Sequence, residues 1–213
     1  MNITLFGASG AIGKIVLEEA LRDTNNTVTA YVRNPDRLKT VHPNVKIIVG
    51  ELGNQALVHQ AIEHSDVIIS TLGPALSRKI KGTPVADGHE AIINAMKKLN
   101  KKRLITLATP TLQSDEDKKQ FSTVFPGIMA KLFLPSGYLE MKKMEKLIKH
   151  SPLDWTVVRI INPNVNHRNQ EYAFSFGDKP AKMGVSRENV GKFMYRVAKE
   201  NLYSKKMPII FNR

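Results

Sequence analysis

The sequence contains no cysteine, which excludes a disulfide scaffold, a thiolate nucleophile and any zinc or iron–sulfur site with cysteine ligands. It also lacks any apolar run near the roughly 18–20 residues that a membrane-spanning helix requires. Its opening residues, 1–6, do not have the basic and apolar stretches of a signal peptide. We therefore expect a cytoplasmic protein.

The charge of the chain is strongly one-sided. Its 213 residues suit one mid-sized domain, and a 42% hydrophobic content suffices for a packed core. The formal net charge of +13 lies entirely in residues 97–213, because residues 1–96 carry nine basic and nine acidic side chains. The basic residues are spread in ones and twos without interleaved aromatic side chains. This distribution favours a lysine-rich solvated surface over attraction of anionic small molecules, and both over nucleic-acid binding.

Strands and helices are predicted to alternate along the chain. Apolar or β-branched runs predict strands over residues 3–6, 28–32, 45–49, 67–69, 104–107, 155–160 and 208–211. Apolar residues at helical spacing predict helices from residue 12 and over 57–62, 91–99, 138–149 and 190–198. This alternation predicts an α/β fold with a doubly wound parallel sheet. Two long segments, 108–136 and 161–186, each follow a strand, so we expect them to form substrate loops at the carboxyl edge of the sheet.

The clearest motif is a glycine-rich turn, Gly7-Ala8-Ser9-Gly10-Ala11-Ile12-Gly13, between the first strand and the first helix. In the dinucleotide-binding pattern the first glycine permits a tight turn, the second lets the backbone approach a pyrophosphate, and the third lets helix and strand pack closely. The phosphates then bind at the amino end of the helix. The predicted cofactor contacts in this turn are Gly7, Ser9, Gly10, Ala11, Ile12 and Gly13.

The residue after the second strand bears on the choice of cofactor. About twenty residues after Gly13 the pattern expects an acid, which binds the ribose hydroxyls of NAD. This chain has Arg33 there, and a guanidinium suits a 2′-phosphate. The sequence therefore favours NADP, with NAD as the alternative if Asp36 turns back toward the ribose.

At these residues the sequence resembles the short-chain dehydrogenase/reductase superfamily, in particular the atypical branch of NmrA-like proteins, biliverdin-IXβ/flavin reductases and NADH-flavin reductases. Beyond the glycine turn, the resemblance is carried by residues 32–35, 50–52, 66–73 and 151–159. It implies a single Rossmann domain over residues 1–213, with 1–107 as the cofactor half and 108–213 as the nicotinamide and substrate half.

The resemblance also implies further contacts to an NADP or NAD cofactor. Glu51 and Leu52, after the third strand, correspond to the residues that contact adenine. Thr71, Leu72 and Gly73, after the fourth strand, correspond to residues beside the central part of the cofactor.

The superfamily's best-known chemistry uses a Tyr-x-x-x-Lys pair on a helix, helped by a Ser or Thr after the preceding strand. Tyr138 and Lys142 have this spacing, and Thr109 follows the strand before them, so these three are the candidate catalytic residues. However, Tyr195 and Lys199 show the same spacing where no catalytic role is expected, and the family register places Tyr138 and Lys142 one residue late. The pair is either catalytic or a tyrosine at the edge of the core beside a solvated lysine.

Other polar residues give weaker signals. The acidic run at residues 115–117 lies beside two lysines and is expected to be solvated. Met129, Phe133, Leu134 and Met141 could line an apolar pocket, although core packing is the commoner use of such side chains. Six histidines show no metal-ligand spacing, so we expect surface or capping histidines and no metal site: His42, His59, His64, His89, His150 and His167.

Together these residues predict an NAD(P)H-dependent reductase, with NADPH favoured, that transfers hydride to a small aromatic acceptor such as a flavin or a quinone. The alternative is a non-catalytic NADP(H)-sensing regulator of the NmrA type. The expected partner is a small-molecule acceptor (flavin, quinone or carbonyl) rather than a membrane or a nucleic acid, and the chain is expected to be a monomer or a weak homodimer.

Overall fold

The computed structural model describes residues 1–38, 42–73, 82–164 and 171–213. The strands in these residues are β1 (Asn2–Phe6), β2 (Thr27–Val32), β3 (Val45–Val49), β4 (Val67–Ser70), β5 (Arg103–Ala108), β6 (Asp154–Ile160), β7 (Pro163–Asn164), β8 (Tyr172–Ser175), β9 (Val185–Ser186) and β10 (Ile209–Asn212). The helices are α1 (Ala11–Leu21), α2 (Gln55–Ile62), α3 (Pro84–Lys98), α4 (Phe121–Phe133), α5 (Pro135–Lys149) and α6 (Arg187–Lys199). No helix in this part of the chain is long and apolar enough to cross a membrane.

Eight of the strands form one sheet in the order β3-β2-β1-β4-β5-β6-β10-β8, while β7 and β9 pair separately. All neighbours in the large sheet run parallel except β8, which pairs antiparallel with β10 at the edge. The strand order reverses between β1 and β4, because the chain first winds outward to β3 and then returns to β4. In such sheets a ligand binds at the carboxyl edge beside this reversal. The predicted fold, a single domain with a doubly wound parallel sheet, is confirmed.

The sheet is covered on both faces. Leu5 of β1 belongs to a core cluster with residues of α1 and α6, such as Val16 and Phe193. The next residue, Phe6, points to the opposite cluster, which contains residues of α2, α3 and α5. Successive side chains of a strand point to opposite faces, so an unbroken apolar run is buried on both sides. This is why the strands could be predicted as short apolar runs.

Three features differ from the sequence prediction. Helix α4 lies inside residues 108–136, for which the sequence predicts a loop. The sequence is misleading here because a proline such as Pro126 removes an intrahelical hydrogen bond and normally interrupts a helix. Helix α3 begins at Pro84 rather than at residue 91, since a proline is well tolerated in the first turn. The third difference is in residues 161–186, which were expected to form a loop and contain β7, β9 and the edge strand β8. Helix α4, the first difference, lies next to the predicted substrate site.

Candidate functional site

The glycine turn joins the carboxyl end of β1 to α1. Gly7 adopts φ +81°, which is costly for other residues, and the Gly10 N–H donates to the Gly7 carbonyl at 2.9 Å. A Cβ atom on Gly13 would overlap that same carbonyl oxygen. The first turn of α1 therefore packs directly on the end of β1, as the third glycine of the motif requires.

The amino end of α1 is left open for a ligand. Gly10 caps the helix without any side-chain hydrogen bond, and the first turn contains no acidic residue. Its unpaired N–H groups and the helix dipole attract an anion. This end of the helix is therefore suited to a phosphate.

Thr71, after β4, holds the turn in place. Its hydroxyl lies 3.1 Å from the carbonyl oxygens of both Phe6 and Gly7, to which it donates. A Cβ on Gly7 would meet the Thr71 oxygen at 2.7 Å. Thr71, which is predicted to contact the cofactor, thus also stabilises the carboxyl end of β1.

A cleft of about 450 Å³ extends from the turn over the ends of β2 and β3, and we call it the basic cleft because two arginines line it. One is Arg33, as predicted; the other is Arg37, which sequence reasoning missed. A short 3₁₀ turn, Pro35–Arg37, places it there, and the Asn34 side chain accepts a 2.9 Å hydrogen bond from the Asp36 N–H. The Asn-Pro pair is typical of a turn, so it could have predicted that the chain brings Arg37 back to the cleft. Asp36 itself is exposed and does not line the cleft.

The far wall of the basic cleft is formed by Glu51 and Leu52. The Tyr31 hydroxyl donates to the Glu51 carbonyl at 2.7 Å, and burial together with the Glu51 charge raises the pKa of Tyr31. A Cβ on Gly88 of α3 would meet the Leu52 side chain at 2.5 Å. Strand β2 and helix α3 therefore fix the position of both residues.

A second space, the apolar cavity, has a volume of about 760 Å³ and lies on the other side of the glycine turn. It lies between the ends of β5 and β6 and helix α4. Thr109 lines it, as do three of the four residues suggested for an apolar pocket, Met129, Phe133 and Leu134. The fourth, Met141, is 1% exposed and packs in the core.

The predicted cofactor residues fall into this geometry as follows. Nine line the basic cleft: Gly7, Ser9, Gly10, Arg33, Glu51, Leu52, Thr71, Leu72 and Gly73. Five line the apolar cavity: Gly10, Ala11, Ile12, Thr71 and Gly73. Three of them line both spaces, so the basic cleft and the apolar cavity meet at the turn.

A family model for NAD(P)H-binding proteins matches residues 7–201, which is most of the chain and includes the glycine turn and every predicted site residue. The chain belongs to the NAD(P)H-binding family.

Individual relatives of this NAD(P)H-binding protein are distant. The oxidoreductase aflX of Aspergillus parasiticus is 23% identical over 209 residues, covering 91% of this chain and 76% of the relative. A short-chain dehydrogenase/reductase from Veillonella parvula, solved in complex with NADP, has a TM-score of 0.78 and 20% identity over 99% of this chain and 94% of its own. ChuY, an anaerobilin reductase from Escherichia coli O157:H7, has a TM-score of 0.79 and 21% identity, and the match covers 100% of this chain and 97% of ChuY. At these identities the solved structures show the shared fold.

The predicted Rossmann fold and the predicted membership of an NAD(P)-binding family are therefore confirmed. NAD(P) binding and a relationship to oxidoreductases are confirmed at the level of the family. The acceptor, the preference for NADPH and the roles of individual residues stay predictions.

Tyr138 and Lys142 do not line the same space as Thr109 in this NAD(P)H-binding protein. Neither lines the basic cleft or the apolar cavity. The Lys142 ammonium instead forms a 2.8 Å ion pair with Glu145 and donates to the Gln113 side chain at 3.2 Å. The structure thus brings Thr109, but not the Tyr-Lys pair, to the apolar cavity.

His89 corrects the expectation of surface or capping histidines. It is fully buried, with Nε2 3.0 Å from the Ser70 hydroxyl and 2.8 Å from the Thr106 hydroxyl. Its Nδ1 lies 2.8 Å from the Val85 carbonyl, which can only accept, so Nδ1 carries the proton and the two hydroxyls donate to Nε2. Burial lowers the pKa of His89 to about 4. This neutral imidazole ties α3 to the ends of β4 and β5.

The other histidines require no such correction on the residues described. His64 and His150 are exposed, and the His150 ring lies 2.8 Å from the carbonyl of Lys146, one turn earlier on α5. His167 lies outside the described residues.

Asp117 corrects the expectation of a solvated acidic run. Its carboxylate forms a bidentate ion pair with Arg159 of β6, at 2.6 and 2.8 Å, and the Arg159 side chain is fully buried. The same guanidinium donates to the Met207 carbonyl at 2.9 Å. Asp115 and Glu116 are exposed, as expected. This pair, which we call the Asp117–Arg159 clamp, fixes the segment after β5 beside the apolar cavity.

Proposed function

We propose that this protein is an NADPH-dependent reductase of small, flat, aromatic acceptors such as flavins or quinones. The observation that carries the proposal is the meeting of two unlike spaces at one helix end. The basic cleft suits the adenosine and phosphate part of a dinucleotide, and the apolar cavity suits a nicotinamide with a stacked acceptor. Gly10, Thr71 and Gly73 belong to both.

The turn fits the proposed cofactor in detail. A side chain on Gly13 would meet the backbone of Gly7, and a side chain on Gly10 would lie 3.2 Å from the Gly7 carbonyl on the way into the cleft. The amino end of α1 is uncapped by side chains. Glycine backbone therefore leaves room for a pyrophosphate at the positive end of a helix.

The preference for NADPH rests on Arg33 and Arg37. Both line the basic cleft, whereas Asp36, the residue that could have favoured the ribose of NAD, does not. Two guanidinium groups beside the ribose end would neutralise a 2′-phosphate and form charge-assisted hydrogen bonds with it. NADP is therefore the proposed cofactor, and NAD the weaker one.

The lining of the apolar cavity favours acceptors that need no proton from the protein. The nicotinamide group, when bound, supplies the hydride. Among the described residues the lining contains no tyrosine, histidine or carboxylic acid, and its hydroxyls come from Thr71, Thr109 and Thr111. Methionine, phenylalanine and proline side chains exclude water and stack on a flat ring. A flavin or quinone can take its proton from water after reduction, whereas a simple carbonyl benefits from a positioned acid.

The experiment that tests the proposal is NADPH oxidation by the purified protein with a panel of flavins, quinones, dichlorophenolindophenol and aromatic aldehydes. We expect turnover with the flavins or quinones and little with the aldehydes. Calorimetric titration with NADP is run in parallel. Tight NADP binding without turnover of any acceptor would contradict a reductase.

That outcome would instead support a sensor that binds NADP(H) and does not react. The same absence of tyrosine, histidine and carboxylic acid side chains from the described cavity lining favours this second candidate. The related oxidoreductase and the anaerobilin reductase belong to the catalytic class, and we therefore place the reductase first.

A further inference from the structure

Helix α4 has an apolar face that points away from the protein. Phe121, Val124, Ile128 and Leu132 are 62%, 40%, 51% and 68% exposed. Their spacing of three and four residues puts them in one stripe along the helix. The Phe125 ring stacks on Phe121, with ring centroids 4.5 Å apart. We call these five residues the α4 stripe.

The stripe is unusual for the surface of a single domain. Isolated exposed apolar residues are normal, but a contiguous patch marks an interaction site. Leu139, on the second turn of α5, is a further large apolar residue near this helix and is 59% exposed. The rest of the described surface exposes few such residues, including Ile47 and Val49 on the edge strand β3.

The opposite face of α4 has a different role. Pro126, Met129 and Ala130 line the apolar cavity. Helix α4 is therefore a wall between that cavity and the solvent, with apolar side chains on both sides. Whatever covers the α4 stripe lies one helix diameter, roughly 10 Å, from the cavity.

The charged side chains of α4 and of the three residues before it are all positive. Lys118 and Lys119 directly precede α4, and Lys131 lies on the helix beside the stripe. All three are exposed, and none forms an ion pair with a described carboxylate. The chain as a whole carries a net charge of +13, all of it from residues 97–213. An occupant of the stripe should thus offer apolar contacts surrounded by negative charge.

We propose that the α4 stripe binds the surface of an anionic lipid bilayer, with the helix lying in the plane of the interface. An apolar stripe flanked by lysines is the arrangement by which amphipathic helices insert to the depth of the lipid headgroups. Basic residues beside the stripe are attracted to anionic headgroups. The sequence prediction of no membrane partner considered spanning runs only, and a stripe of this kind becomes visible once the helix around Pro126 is known.

A second copy of the chain fits the stripe less well. Two stripes in contact would bring Lys118, Lys119 and Lys131 of one copy near the same lysines of the other. Each copy would also carry its net charge of +13 into the contact, and like charges at an interface weaken association.

The consequence for catalysis rests on the proposed function. An aromatic acceptor of low polarity, such as a quinone, concentrates in lipid. Docking through the α4 stripe would place the apolar cavity beside that reservoir. The binding itself needs no turnover, so it can be tested separately from the reductase activity.

The test is cosedimentation of the full-length protein with vesicles of phosphatidylcholine alone or mixed with phosphatidylglycerol. We expect binding to the anionic vesicles and little to the neutral ones. The double variant Ile128→Ser/Leu132→Ser should bind at least about tenfold more weakly, because it removes two inserted side chains. Val49→Ser, which removes an equally exposed apolar side chain on β3, should bind like the wild type.

Charge is tested with a matched pair of double variants. Lys118→Glu/Lys119→Glu should weaken binding to the anionic vesicles, whereas Lys101→Glu/Lys102→Glu makes the same change in net charge before β5, at the opposite edge of the sheet. NADP affinity and circular dichroism establish that each variant is folded.

Three results would overturn the proposal. One is failure of the wild type to bind anionic vesicles. Another is equal loss of binding in both charge variants, since net charge alone would then explain it. The third is a dimer, seen by analytical ultracentrifugation, that Ile128→Ser/Leu132→Ser dissociates, because the stripe would then be an interface between two copies.

Discussion

Arg33 and Arg37 reach the same cleft from the two ends of a turn of only a few residues. Arg33 could be predicted directly, because the dinucleotide pattern assigns a cofactor contact to the position after β2. The second depends on the 3₁₀ turn that Asn34 and Pro35 begin. A residue of this site can therefore be predicted when it directly follows a strand. It is harder to predict when a turn brings it back to the cleft.

We predict that Arg33→Ala weakens NADPH binding by roughly tenfold or more and leaves NADH binding nearly unchanged. Removal of a charge-assisted contact to a phosphate costs ~1.5–3 kcal/mol. Arg37→Ala should act in the same direction, and calorimetric titration with both cofactors measures each effect. Arg187→Ala removes an arginine that lines the apolar cavity instead, and serves as the control. Equal losses for NADPH and NADH in Arg33→Ala would show that Arg33 does not contact the 2′-phosphate.

Tyr138 is the residue for which sequence motif and structure point in different directions. It has the spacing of a catalytic tyrosine but lines neither the basic cleft nor the apolar cavity. We predict that Tyr138→Phe changes turnover with a quinone or flavin by less than about threefold, because a positioned acid would be worth ~10²–10⁴-fold. A hundredfold loss of turnover with unchanged NADPH affinity would show a catalytic phenol and favour carbonyl reduction.

At the scale of elements, the β1–turn–α1 unit was the most predictable and α4 the least. The unit has a strand, three glycines with separate roles and a helix, and all these signals agree. Helix α4 contains Pro126 and reads as a loop, so the outer wall of the apolar cavity could not be predicted. Its stability comes from packing, which a linear pattern does not contain.

The importance of the α1 amino end is tested by Gly10→Val. We predict loss of NADPH binding in a protein whose circular dichroism stays close to that of the wild type, because the new side chain would occupy the space of the pyrophosphate. Gly127→Val is the matched control, since a Cβ there meets nothing within 4 Å and the residue lines neither space. Binding of NADPH by a folded Gly10→Val protein as tight as the wild type would refute the phosphate site.

For the whole molecule, the doubly wound sheet could be predicted from the alternation of strands and helices. The buried polar groups could not be predicted from the sequence. His89, Asp117 and Arg159 are titratable side chains that usually lie at surfaces. Their burial depends on partners distant in sequence, such as Thr106 for His89 and Met207 for Arg159. No local pattern records those partners, so the predictions of a surface histidine and a solvated acidic run were wrong at these positions.

The buried His89 should make the stability of the whole fold depend on pH. Its pKa is lowered to about 4 from an ordinary value of 6.5, so the unfolded chain binds the proton first as the pH falls. The stabilisation is therefore complete above pH 6.5 and is lost as the pH falls toward about 4, by about 3 kcal/mol in total. Urea unfolding at a series of pH values measures it. His89→Gln should show a shallower dependence over this range, while the exposed-site control His150→Gln should follow the wild type. Equal slopes in all three proteins would rule out His89 as the titrating group.

The Asp117–Arg159 clamp means that the two walls of the apolar cavity differ in how well they should accept substitutions. Segments that are far apart in sequence meet at one buried guanidinium, and replacing either partner would leave an uncompensated charge in the core. The wall after β5 is therefore a poor target for protein engineering. Helix α4 forms no such buried ion pair in the described residues, so we expect its cavity-facing side chains at positions 126, 129 and 130 to tolerate changes of size better than the clamp does. A library that aims at new acceptors should randomise these positions of α4 and keep the clamp intact.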